Sequence, residues 1–73
     1  MRSLESYTVV VRPEDNGTFV AYVPAIVSCH AWGRTSEEAR TELANVFDMI
    51  QEEYQEEGKS LPQDVELVVT NAS

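Results

Sequence analysis

A cysteine beside a histidine, Cys29-His30, is the first place to look for chemistry in this chain of 73 residues. Thiolate and imidazole are both zinc ligands, and together they can form a nucleophile–base pair. The spacing argues against both uses. Adjacent side chains of an extended segment point to opposite faces, and the chain has no second cysteine or histidine to complete a metal site. Cys29 therefore reads as a small core residue and His30 as a residue of an outer sheet face. Carboxylates come next, because metal-dependent phosphodiester chemistry needs several of them converging on divalent ions. Eight acidic residues (Glu37, Glu38, Glu42, Asp48, Glu52, Glu53, Glu56 and Glu57) fall between 36 and 57. Spaced around the outside of one helix, they diverge. No Ser/His/Asp arrangement and no phosphate-cradling glycine loop is present. The expectation is a non-enzymatic protein with no catalytic residue, metal or cofactor.

What remains is binding. Trp32, Tyr22 and His30 can share the sheet face turned away from a helix, where exposed aromatics make an interface. They can equally pack with Val10 and Val20 in a second small core. The second candidate is the acidic helix end, Glu52, Glu53, Glu56 and Glu57. It reads either as a solvated face or as a surface that steers a basic partner. The net charge of −8, from 13 acidic and 5 basic residues, disfavours direct contact with nucleic acid or an anionic membrane, whose charges need neutralising. No apolar run is long enough to span a bilayer, and no signal-peptide pattern is seen. A lone cysteine allows no internal disulfide and fits a reducing cytoplasm. One domain, 1–73, fills the chain, and so small a core leads us to expect a homo-oligomer (dimer or tetramer) or a permanent partner.

One helix must position these groups. Ala39, Leu43, Val46, Phe47, Ile50 and Tyr54 recur at spacings of three and four, which predicts an apolar stripe on a helix over 36–57. Thr35 and Glu38 make a capping box, in which Glu38 reaches back to the Thr35 N–H. Gly58 ends the helix in the left-handed region, with Lys59 close to the last carbonyls. The last turns, from Glu52, are expected to overhang the sheet. Strands are predicted over Tyr7–Arg12, Thr18–Val23, Cys29–Gly33 and Val65–Thr70 from their β-branched and aromatic content. An Asn16-Gly17 hairpin turn joins the first two, and Gly33 lets the chain turn into the helix cap. The expected fold class is α+β: a three-stranded antiparallel meander, one long helix packed on it, then a fourth strand.

The run from Pro24 to Ala39, PAIVSCHAWGRTSEEA, with the extended strand and aromatic strand before it, resembles the HicB-like antitoxin family. Pro24, Cys29, Gly33, Thr35, Glu38 and Ala39 occupy the positions of the family's pattern. Val27 and Ser28 stand where Pro-Gly is usual, and Arg34 where an acidic residue is common. The resemblance covers Tyr7 to Thr70 and lies in order and spacing together. It implies a partial RNase H-like fold and the antitoxin half of a type II toxin–antitoxin pair. The partner implied is a HicA-like toxin, a small basic mRNA-cleaving protein whose RNA-binding and catalytic surface the antitoxin would mask. Many such antitoxins add a C-terminal DNA-binding segment; none is expected here. The alternative is a stand-alone HicB-like oligomer of structural or regulatory role that has lost its toxin.

Overall fold

A helix with both ends tied governs the architecture of the computed structural model, which describes residues 3–65. This helix, α1, runs Ser36–Glu56. Thr35 is its N-cap, and its hydroxyl accepts from the Glu38 N–H at 3.0 Å. Glu38 does reach back, but to the N–H of Arg34, at 3.1 Å, rather than to that of Thr35. At the other end, Gly58 has φ +71°. The Gly58 N–H donates to the Gln55 carbonyl and the Lys59 N–H to that of Tyr54, which together make a Schellman cap. The Lys59 side chain goes to Glu57 instead, at 3.2 Å.

Three strands form an antiparallel sheet in the order β1-β2-β3. They are β1 Val10–Pro13, β2 Phe19–Tyr22 and β3 His30–Gly33. All three are shorter than predicted. Expected at the start of the first strand, Thr8 instead gives its N–H to the Asp64 carboxylate at 3.0 Å and its hydroxyl to the same group at 2.8 Å. Tyr7 leaves the ladder for the core, where its ring lies 5.7 Å from that of Phe47 and its hydroxyl donates to the Pro62 carbonyl. Pro13, one residue past the predicted strand, is the last paired residue of β1, opposite Phe19, on a strand at the sheet's edge where a missing N–H is tolerated.

The β1–β2 turn is not a two-residue hairpin. Gly17 alone takes positive φ, at +85°, after a turn closed by the Gly17 N–H on the Glu14 carbonyl, and the Glu14 N–H donates to Thr18. Asn16 stays out of the left-handed region, and its carboxamide oxygen accepts from the Thr18 hydroxyl at 2.6 Å and the Thr18 N–H at 3.2 Å.

The core forms where α1 covers one sheet face. Ala39, Leu43, Phe47 and Ile50 of the helix meet Ala21, Val23, Ile26, Cys29 and Ala31, all buried. Burying a side chain the size of Leu43 or Phe47 contributes about 1.5–3 kcal/mol. Val46 and Tyr54 pack at the margin. On the last helical turns, which were expected to overhang, Tyr54 packs against this core, as does Leu61 from the following loop. α1 packs chiefly on β3, less on β2 and least on β1. The observed class is α+β, three antiparallel strands and one helix. The fourth strand expected over Val65–Thr70 falls, from residue 66 onward, outside the described residues.

Candidate interaction surfaces

The register fixes which side chains share the uncovered sheet face. Val10 pairs with Tyr22 and Arg12 with Val20; Tyr22 pairs with His30 and Val20 with Trp32. Directly paired residues point to the same side. Two rows result, Val10–Tyr22–His30 and Arg12–Val20–Trp32, both turned away from α1. Trp32 is 52% exposed, His30 is exposed, and Tyr22, Val10 and Val20 are half-buried. His30 and Trp32 stack edge to face with ring centroids 4.9 Å apart. The structure therefore brings Tyr22, His30 and Trp32 together as the sequence predicts. They stand beside the half-buried Val10 and Val20.

Cys29 lies on the other side, 1% exposed, and its burial pushes the thiol pKa up. A buried thiol with a raised pKa is a poor nucleophile. His30 points away from it. Among the described residues, no group of three or more His, Cys, Asp or Glu could hold a metal ion.

The acidic residues Glu52, Glu53, Glu56 and Glu57 are all exposed on the last turns of α1. The helix packs on the inner sheet face, so Glu52 and Glu56 point away from the aromatic face, while Glu53 and Glu57, seven residues after Val46 and Ile50, continue the line of the apolar stripe past the core. Glu52 stands four residues before Glu56, and Glu53 four before Glu57. Like charges at that spacing destabilise a helix, and negative charge near the C-terminus opposes the macrodipole. No basic residue stands in the last turn. Lys59 offsets part of this through its exposed pair with Glu57, a contact of small energetic weight. Local stability does not account for this cluster.

The motif residues take structural roles. Pro24 opens the β2–β3 connection, where turns at Val23–Ile26 and Ile26–Cys29 tuck Ile26 inward and leave Val27 96% exposed. Ile26 is a core residue that the alternation of strands could not reveal. Gly33 is not the flexible turn glycine expected. It ends β3, without positive φ, and a Cβ there would run into the backbone N of Ala39 and lie 2.8 Å from the Glu38 carbonyl carbon. Gly33, Glu38 and Ala39 are thus one contact, which seats the first turn of α1 on β3. Gln51, a buried polar residue on the flank of α1, was also missed.

These features define a class: a small α+β domain with one helix on a three-stranded meander, bearing an aromatic face and an acidic ridge. Among curated proteins, the chain is 40% identical over 57 residues to the UPF0150 protein ssl0259 of Synechocystis sp. (strain ATCC 27184 / PCC 6803 / Kazusa), in an alignment spanning 78% of each chain. The chain belongs to the UPF0150 family. No family model matches it, and no solved structure does. No helix among the described residues is long and apolar enough to cross a membrane.

Proposed function

We propose that this chain is a HicB-like antitoxin, which binds a HicA-like mRNA-cleaving toxin and masks its basic RNA-binding and catalytic surface. The observation that carries this reading is the acidic ridge of α1. Four carboxylates crowd a helix end where they oppose the dipole and one another, as expected if they serve a cationic partner rather than the fold. The motif pattern also supports it: Gly33, Thr35, Glu38 and Ala39 act together to seat the helix. The same reading carries a partial RNase H-like fold with a fourth strand over Val65–Thr70. The tether from Asp64 to Thr8, at the entrance to β1, supports that placement. Such a pair acts in the cytoplasm, where its RNA target is, and needs neither cofactor nor catalysis from this chain.

The test is an RNA-cleavage assay with the small basic protein encoded beside this chain's gene. One molar equivalent of the chain should stop cleavage, and the two should co-purify. Cleavage that continues under about tenfold excess, a concentration ratio that saturates any tight complex, would remove the antitoxin reading. A stand-alone oligomer is the second reading, and the uncovered aromatic face is what favours it. The absence of any small basic reading frame beside the gene would move the weight there.

A further inference from the structure

We propose that the uncovered sheet face, Val10, Arg12, Val20, Tyr22, His30 and Trp32, receives an amphipathic helix of another protein, apolar where it lies on the strands and carrying carboxylates along its flanks.

The dimensions select a helix. Neighbouring strands stand about 4.8 Å apart, so the three strands span about 10 Å, the width of one helix with its side chains. Each strand has four residues and runs about 13 Å, which matches about nine residues of helix. α1 covers the other face, and a helix on this one would give the sheet a layer on both sides. The middle strand supplies the floor, Val20 and Tyr22, both half-buried. The outer strands carry the exposed groups, Arg12 on β1, His30 and Trp32 on β3. A helix lying over β2 therefore has an arginine along one flank and the edge-to-face ring pair along the other.

Charge selects the chemistry of that helix. The chain has 13 acidic residues against 5 basic, yet the two rows of this face hold one arginine, one histidine and no carboxylate. Among the described residues, Arg12 has no ion-pair partner. Its guanidinium is a planar fork that takes a carboxylate through two hydrogen bonds. A lysine-rich helix finds nothing to pair with there, and a second copy brings the same arginine and histidine. A single-stranded nucleic acid could stack on the rings. Each nucleotide would bring a phosphate, however, and the face has one arginine for all of them. The carboxylates of α1 do not forbid an acidic helix here. With the sheet between them, the two helix axes lie roughly 20 Å apart, about two Debye lengths at 0.1 M salt.

The face is small, well below the roughly 800 Å² per partner of a standard interface, so the complex is transient, with Kd on the order of 100 µM. The site does not depend on the antitoxin reading, which rests on the carboxylates of α1.

Trp32 is the chain's one tryptophan and reports occupancy of the face. The probes are three tryptophan-free peptides of about 18 residues, long enough to hold a helix. They share one leucine stripe and differ only in its flanks, which are glutamate, glutamine or lysine. Each is titrated into the full chain while acrylamide quenching of Trp32 is followed. The glutamate peptide should lower quenching at least twofold, and the lysine peptide should need at least tenfold more to do so. Arg12→Glu, with an unchanged far-ultraviolet circular dichroism spectrum, should reverse that order. Arg12→Gln, which adds no charge, should remove the preference. Trp32 left as quenchable by about 1 mM glutamate peptide as without it would overturn the proposal. So would equal affinity of the unsubstituted chain for the three peptides. Tighter protection by a short oligouridylate would give the face to nucleic acid, and protection on concentrating the chain alone would give it to a second copy; either overturns the proposal. The antitoxin reading is judged separately, because Arg12→Glu should inhibit the toxin as well as the unsubstituted chain does.

Discussion

Gly33 is the residue on which most depends. A methyl group there would meet the backbone of the first helical turn, which cannot retreat without breaking the Thr35 cap. Gly33→Ala should destabilise the fold by about 2 kcal/mol or more, within the range measured for forced overpacking. Urea unfolding would show it, and an unchanged midpoint would mean that the helix is not seated through this glycine. Asp64 is the second such residue. The Thr8 N–H, and then its hydroxyl, hold the carboxyl below its ordinary pKa of 3.8, against opposing desolvation. A depressed carboxylate pKa contributes stability above the unfolded value and loses it as pH falls through the folded one. The Thr8 amide resonance should therefore move in acid, below about pH 4, and Asp64→Asn should abolish that movement. An amide insensitive to pH down to about 2 would sink the assignment.

At the scale of the element, α1 sets its charge against its stability. Glu53→Gln with Glu56→Gln removes one charge from each like-charged pair and eases the conflict with the dipole. The double variant should be more stable by a few tenths of a kcal/mol and associate more slowly with a basic partner, most visibly at low salt. Thermal unfolding and stopped-flow association would check the two halves. Faster association, or a lower melting temperature, would show that the ridge is not the compromise described. This helix was the most legible part of the sequence, because its apolar period, N-cap and terminal glycine are all local signals. The strands were less so. Thr8 looks like strand material, and only a partner 56 positions away, Asp64, removes it from the ladder. Ile26 is buried by turns that carry no periodicity. Gly33 was noticed but misread, since a missing Cβ and a permissive φ look alike in a sequence. The aromatic face was legible because alternation, once the second and third strands pair as neighbours, assigns Tyr22, His30 and Trp32 to one side.

For the molecule as a whole, one helix on one sheet leaves two unlike exteriors, acidic over the helix and aromatic over the strands. Such a body can meet two partners at once without either obstructing the other. The uneven seating of the helix has a further consequence. α1 lies close on β3 through Gly33 and stands off from β1, leaving an open groove bordered by Leu4, Tyr7, Val9, Arg40, Ala44 and Asp48. Among the described residues, α1 meets β1 least, and the segment leading into β1 is tied by the two hydrogen bonds from Thr8 to Asp64. Native-state hydrogen exchange should therefore reach β1 first and β3 last. The strand nearest the mouth of the groove should be the first whose amides exchange with solvent, and the strand under the helix should keep its protons longest.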